Sequence, residues 1–270
     1  MYAEFRKVVK RVFLIYGICM ESTTEFTKDT FHHHLKTEHK QTVGSDYLKE
    51  IVYGGTDGIV TTFAVVAGFS GAYLGTESTV QLGVVTVLLF GLANLFADGV
   101  SMGLGNYISL RANNHKILSL REKERYEIRE NPDYEKQETL YLLEKRGLSK
   151  DDAEAMTQIF MRYPDYWLDF MMHDELGEQT NIDTNPLLNG VMTFASFCVF
   201  GFIPMIPYLI VHVPREAFYL SCGFSAGALV VLGVFSGYIS KRWYLWTVIE
   251  TLLVGVVAAS VAYGVGSVFK

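Results

Sequence analysis

The sequence predicts an all-α membrane protein with five transmembrane helices and a three-helix polar insert between the second and third spans. Half of the 270 residues are hydrophobic, and the mean hydropathy is +0.20. A helix that crosses the core of a bilayer takes about 20 apolar residues. Stretches of that kind lie roughly at 51–75, 80–110, 187–212, 217–240 and 243–268.

The charged residues separate the second span from the third. Residues 111–186 hold 11 Lys/Arg and 17 Asp/Glu, which accounts for the whole net charge of −6. The chain therefore divides into four segments. They are a flexible cytosolic N-terminal tail (1–45), spans one and two (46–110), a cytosolic helical domain (111–186) and spans three to five (187–270).

The basic residues predict the orientation. Of 23 Lys/Arg, 21 lie before the first span, in the insert, or at Lys241 and Arg242. With five spans these places share one side of the membrane, and basic residues favour the cytosolic side. We expect the N-terminus and the insert in the cytosol and the C-terminus on the opposite, lumenal side.

Composition excludes some classes of protein. Nucleic-acid binding calls for basic stripes, which this acidic chain lacks. Its three cysteines, Cys19, Cys198 and Cys222, form no CxxC pair, so we expect free packing thiols. A prosthetic group is not expected. A His-rich run in the tail, residues 32–40, could bind metal weakly but is not assigned a role.

Turn residues divide the insert into three predicted helices. The first ends at Asn131-Pro132, since Pro favours the first position of a new helix. The second, about 132–146, ends at Gly147. The third begins at the cap-like residues 149–152 and is kinked or split by Pro164.

Carboxylates inside spans are the strongest functional signal. Burying a charge at a span centre costs about 2.5–3.5 kcal/mol on insertion scales. Glu50 and Glu250 lie near span ends, where they could simply reach headgroups. Asp57 and Asp98 lie deeper, and each either makes a structural hydrogen bond or forms an ion or proton site.

Met102 lies four residues after Asp98, on the same helix face. A thioether beside carboxylates suits a transition metal such as Fe²⁺ better than Ca²⁺ or Mg²⁺, although Met also fills cores. Glycines at 54, 55 and 58 flank Asp57. They would let helices approach closely or would permit a local break in the helix.

The insert carries two E-x-x-E pairs, each on one helix face. They are Glu124 with Glu127 and Glu135 with Glu138. If the helices fold back at Asn131-Pro132, the four carboxylates converge. Later in the insert lie Met171 and Met172, with Glu175 one helical turn after them. The alternative is a solvated face of i,i+4 ion pairs, which is common on Lys/Arg-rich helices.

The sequence resembles the vacuolar iron transporter family. "GGTDGIVTTFAVVAGFSGA" (54–72) followed by "ANLFADGVSMGLGNYIS" (93–109) is similar to the family's paired signature, and the resemblance covers about residues 46–270. It implies a homodimer that moves Fe²⁺, and in some members Mn²⁺ or other divalent ions such as Zn²⁺. Transport runs from the cytosol into a vacuole or another acidic organelle, in exchange for protons.

The resemblance also implies residue roles. Asp57 and Met102 would line the pathway at the dimer interface, with Glu50 near its cytosolic mouth. The insert residues would bind metal and pass it on, namely Glu124, Glu127, Glu135, Glu138, Met171, Met172 and Glu175. Some relatives carry an acid where this chain has Asn106, and some lack one at Asp98, so the residue that carries the counter-proton stays open.

Three other functions are weighed against an Fe²⁺/H⁺ antiporter. One is a Mn²⁺ or broader divalent transporter of the same type. Another is a membrane-anchored di-iron oxidase, but such sites use Glu-x-x-His motifs, which this sequence lacks. A third is a metal sensor or store, for which one anchoring helix would suffice.

Overall fold

A computed structural model describes residues 27–28, 30–31, 47–73, 80–178, 185–211, 213–240 and 242–269. The chain forms two units, Met1–Ser45 and Asp46–Lys270. In the first unit, the Thr27 amide donates to the Thr30 hydroxyl at 2.8 Å. The rest of the predicted tail, including the His-rich run, lies outside the described residues.

The elements described in the second unit are all helical. In chain order they are α1 (Leu48–Tyr73), α2 (Val80–Glu130), α3 (Pro132–Lys145), α4 (Lys150–Arg162), α5 (Pro164–Asp174), α6 (Pro186–Gly201), a 3₁₀ turn (Ile203–Met205), α7 (Ile206–Ile210), α8 (Pro214–Ser240) and α9 (Tyr244–Val268). Within the described ranges there is no strand, so the all-α prediction is confirmed.

Five helical segments are long and apolar enough to cross a membrane, which confirms the number of predicted spans. The third, Pro186–Ile210, is interrupted by the 3₁₀ turn. Proline there removes a backbone donor and breaks the ladder of hydrogen bonds. The Ser221 hydroxyl of α8 donates to the Pro204 carbonyl at 2.6 Å, which satisfies one exposed backbone acceptor.

The second span continues into the insert as one helix. α2 is 51 residues long, or about 76 Å at 1.5 Å per residue. The predicted separate first helix of the insert is therefore wrong. Between Gly105 and Asn131 the sequence has neither Gly nor Pro, so nothing ends the helix at the edge of the apolar segment.

The rest of the insert is three shorter helices around an apolar core. Pro164 splits the predicted third helix into α4 and α5. The Ser149 hydroxyl accepts from the Asp152 amide at 3.2 Å, which confirms the predicted cap. Pro132 occupies the first turn of α3 as expected, but the Asn131 side chain makes no capping hydrogen bond. The core contains Ile117, Ile128, Leu143, Ala153, Phe160, Trp167, Leu168, Met171 and Met172.

α1 is the central helix of the span bundle and packs against α2, α6, α8 and α9. Its glycines make close packing possible. A Cβ on Gly54 would lie 2.8 Å from the Thr193 carbonyl oxygen of α6, and one on Gly58 would collide with the Phe197 carbonyl. The helix is unbroken through Gly54, Gly55 and Gly58, so these residues bring helices together and do not interrupt one.

Candidate metal sites

Three carboxylates from separate elements meet in the insert. Glu124 lies on the polar end of α2, Glu135 lies on α3, and Glu175 directly follows α5. One oxygen from each side chain lies within 4.8 Å of the others. The chain reverses at Asn131-Pro132, so α2 and α3 bring Glu124 and Glu135 together, as their spacing predicted.

Glu124 and Glu135 are buried, each 3% exposed. Among the described residues, Glu124 Oε1 and Glu135 Oε2 have no hydrogen-bond partner. Buried carboxylate oxygens normally have a partner or bind a cation. This arrangement differs from a solvated face of ion pairs, which was the alternative interpretation of these glutamates.

The other two predicted glutamates lie beside these three. Glu127 and Glu138 are half-buried, and both act electrostatically on Glu135 and Glu175. Lys123 Nζ lies 3.4 Å from Glu127 Oε1 and supplies a nearby positive charge. All five predicted glutamates therefore belong to one electrostatic cluster, which we call the carboxylate cluster.

Full ionisation of the carboxylate cluster is unfavourable, because its side chains are partly buried and carry like charges. Burial raises the pKa of Glu135 to about 7, and the negative charge of Glu138 contributes to the rise. A hydrogen bond with Glu124 acts in the opposite direction. Burial also raises the pKa of Glu124, to about 8, and the negative charge of Glu175 contributes to that rise.

The predicted methionines lie in the apolar core of the insert. Met171 and Met172 are fully buried. The Thr139 hydroxyl, one helical turn after Glu135, lies 2.8 Å from the Glu135 carbonyl oxygen and 3.4 Å from Met171 Sδ. Trp167 Nε1 donates to the same hydroxyl at 2.7 Å. This network fixes the position of the Met171 thioether relative to α3.

In the membrane segments, two predicted acids lie near each other. Asp57 on α1 and Asp98 on α2 are half-buried and close enough to interact electrostatically. The Asn94 amide donates to Asp98 Oδ2 at 2.6 Å. On α1, the Thr61 hydroxyl donates to the Asp57 backbone carbonyl at 2.8 Å. The Asn94 amide therefore fixes the Asp98 carboxylate, and the Asp57 carboxylate lies on the neighbouring helix α1.

The remaining predicted residues lie at different depths of the bundle. Met102 is half-buried and packs against Leu95, Phe197 and Met205. Glu50, near the start of α1, is 8% exposed, and its Oε2 has no partner in the described part of the chain. This burial disfavours the alternative that Glu50 simply reaches lipid headgroups, which the sequence had left open. Glu250 lies 3.7 Å from Arg242 in an exposed ion pair.

Sequence reasoning missed the polar residues one turn from the predicted ligands. Thr139 follows Glu135 by four residues and Asn94 precedes Asp98 by four. That spacing was a signal, because it places each pair on one helix face. Residues that contact a site through tertiary packing, such as Trp167, carry no such signal in the sequence.

Five apolar spans, acids inside them and a carboxylate cluster in the insert define an integral membrane protein equipped to handle cations. The sequence matches the VIT family over residues 48–267, and the chain belongs to that family.

Several relatives align over most of this chain. The vacuolar iron transporter of Toxoplasma gondii is 33% identical over 255 residues, which cover 91% of this chain and 80% of the relative. That of Plasmodium falciparum is 32% identical over 254 residues, 89% of each chain. Vacuolar iron transporter 1 of Eucalyptus grandis is 30% identical over 233 residues, 85% of this chain and 90% of the relative. These relatives are named as transporters, not enzymes.

Proposed function

We propose that this protein is a secondary active transporter that moves Fe²⁺ from the cytosol into a vacuole or another acidic organelle, in exchange for protons. The observation that carries the proposal is the meeting of Glu124, Glu135 and Glu175 in a protein with five spans. The names of the relatives supply the identity of the metal. Iron is the transported substrate, not a resident cofactor.

The insert would collect the metal on the cytosolic side. The carboxylate cluster offers oxygen ligands, and Met171 and Met172, in the core of the insert, would supply sulfur donors. Mixed oxygen and thioether donors suit Fe²⁺ better than Ca²⁺ or Mg²⁺. Because metal replaces protons on these carboxylates, binding releases protons from the cluster.

The spans would carry the exchange step. A carboxylate binds a metal ion or a proton, but not both at once, so metal and protons compete for Asp57 and Asp98. On the neutral cytosolic side the ionised pair binds metal, with Met102 as a soft ligand. On the acidic side protons displace the metal, and the returning carboxylates carry protons back.

The proposed orientation places the N-terminus and the insert in the cytosol and the C-terminus in the lumen, in line with the distribution of Lys and Arg. We also propose a homodimer whose two-fold axis passes near Asp57 and Met102. Both residues are half-exposed within one protomer. A second copy across the axis would double the donors and shield them from lipid.

An oxidase is not favoured by the geometry. Within the described residues, the group of side chains that could hold a metal consists of glutamates alone. His115 and His173 are exposed and lie outside that group. Ferritin-like di-iron sites require histidines next to their glutamates.

Purified protein reconstituted in proteoliposomes tests the proposal. With an acidic interior, external Fe²⁺ should accumulate, and collapse of the pH gradient should stop the uptake. Asp57→Ala should abolish accumulation without unfolding the protein. Wild-type rates from Asp57→Ala would contradict the mechanism, and uptake independent of the gradient would contradict proton exchange. Addition of Mn²⁺ or Zn²⁺ as competitor measures selectivity.

A further inference from the structure

Three ion pairs connect the segment that carries Glu175, residues 169–178, to the helices that carry the other predicted glutamates. Two of the basic partners lie on α2, and the third directly follows α3. The pairs are Arg121 with Asp169, Lys116 with Glu178, and Arg146 with Asp174. We call them the interhelical pairs. Within the described part of the insert, the remaining ion pairs join neighbours on a single helix.

The first of these pairs attaches α5 to α2 before the segment reaches its predicted ligands. Arg121 Nη2 lies 2.7 Å from Asp169 Oδ1. That oxygen is buried and has no hydrogen-bond partner among the described residues, so the guanidinium group is its counter-charge. The Arg121 side chain is only 24% exposed, which reduces screening by salt. Arg121 lies one turn before Glu124, so α5 is held to α2 beside the carboxylate cluster.

The second attachment to α2 follows the predicted ligands. Gly177 has a φ of +66°, the left-handed conformation in which helices commonly end. The Glu178 amide donates to the Met172 carbonyl at 3.0 Å across this turn. The Glu178 side chain then pairs with Lys116 of α2. Glu175 therefore lies between two points at which its segment is attached to the same helix.

The attachments oppose a repulsion within the metal-free site. One oxygen of Glu175 lies within 4.8 Å of oxygens of Glu124 and Glu135. The negative charges of Glu127 and Glu138 also act on Glu175. Like charges at these distances repel each other. Because Glu175 is exposed and follows the end of its helix, repulsion alone would favour its movement away from the other glutamates.

We propose that the basic members of the interhelical pairs are positioning residues of the proposed metal site, namely Lys116, Arg121 and Arg146. They hold residues 169–178 so that Glu175 reaches the same ion as the two buried glutamates of the carboxylate cluster. They do not bind the metal, because ammonium and guanidinium groups have no acceptor. The inference rests on the proposed transport of Fe²⁺ and adds the residues that assemble its cytosolic binding site.

The sign of the effect on Fe²⁺ affinity tests this role. Removal of a positive charge beside a cation site strengthens binding if the charge acts only through its field. Loss of a positioning residue weakens binding instead. Replacement of Lys116, Arg121 or Arg146 by Gln should each weaken binding by about two- to fivefold, the range of partly exposed ion pairs. Lys116→Gln with Arg121→Gln should weaken it by about tenfold.

Anaerobic calorimetric titration of the full-length protein with Fe²⁺ measures these affinities. Arg125→Gln is the matched control, because it removes the same charge from α2 while Arg125 pairs with Glu122 of its own helix. Its affinity should equal or slightly exceed that of the wild type. Arg121→Lys keeps the charge and should retain most of the affinity. Should Arg121→Gln not fold, Lys116→Gln decides, since the Lys116 side chain is 59% exposed.

Uptake into proteoliposomes separates the insert from the spans. The Gln variants should raise the Fe²⁺ concentration for half-maximal uptake and leave the maximal rate unchanged, because the spans are intact. Binding as tight as in the wild type, or tighter, in the Gln variants overturns the inference, as does an equal loss in Arg125→Gln. Absence of Fe²⁺ accumulation by the wild type contradicts the transport proposal, and the titrations then still decide the role of the interhelical pairs.

Discussion

The hydroxyl of Thr139 lies 3.4 Å from the sulfur of Met171 in the buried interior of the insert. The same hydroxyl accepts a hydrogen bond from Trp167 Nε1. A polar contact therefore holds the thioether beside α3, the helix that carries Glu135. In the proposed metal site, Thr139 would therefore position Met171 without binding the metal itself.

Thr139→Val tests that relationship. Valine keeps the shape but removes the hydroxyl, so Met171 loses its fixed orientation and Trp167 loses its acceptor. We expect Fe²⁺ affinity of the full-length protein to fall by about tenfold, a typical effect for groups that orient metal ligands. Anaerobic calorimetric titration measures the affinity. Thr139→Ser is the control and should retain it. Equal losses in both variants would assign Thr139 to packing alone.

Metal binding to the insert should depend on pH. Because the pKa of Glu135 is raised to about 7, the cluster holds protons near neutrality that metal must displace. We expect affinity to rise between about pH 6 and pH 8, by roughly tenfold per unit for each proton released. Titration in buffers of different ionisation enthalpy counts the protons. A flat profile with no proton release would contradict this account.

The metal-free protein should respond to pH in the opposite sense. A carboxyl whose pKa is higher in the folded than in the unfolded state stabilises the fold at low pH, and this contribution is lost as pH rises through about 7. Thermal unfolding without metal should therefore occur at a higher temperature near pH 6 than near pH 8. Glu135→Gln should reduce that difference, whereas Glu144→Gln, an exposed glutamate of α3, should not.

Asn94 should matter for transport because it fixes the Asp98 carboxylate. Hydrogen bonds to charged groups contribute about 1.5–3 kcal/mol, so Asn94→Leu should lower Fe²⁺ uptake by about tenfold or more in folded protein. Ser260→Ala is the control, since Ser260 is exposed and donates only to its own helix. Unchanged uptake in Asn94→Leu would remove Asp98 from the pathway.

The number of spans was predictable because lipid imposes one length and one polarity on any helix that crosses it. The boundary at Pro164 was equally predictable from the chemistry of proline. The continuation of α2 to Glu130 was not predicted. The change from apolar to charged residues near position 110 suggested a boundary between the second span and the insert, but no helix-breaking residue lies there. Periodicity alone cannot distinguish those two cases.

The candidate ligands in the insert were predictable because E-x-x-E pairs on both sides of Asn131-Pro132 define a local hairpin. Their burial was not, since charge patterning is the same for a solvated face. The close packing of α1 on α6 could not be predicted either. It brings Gly54 against Thr193 and Gly58 against Phe197, a long-range contact that no spacing in the sequence encodes.

The most direct test of proton-coupled iron transport records Fe²⁺ and pH inside the same proteoliposomes. Fe²⁺ is added outside acidic vesicles that contain a metal-sensitive and a pH-sensitive dye. The account predicts that the internal pH rises as Fe²⁺ enters, and that Asp57→Asn abolishes both signals together. Entry of Fe²⁺ without any loss of internal protons would contradict it.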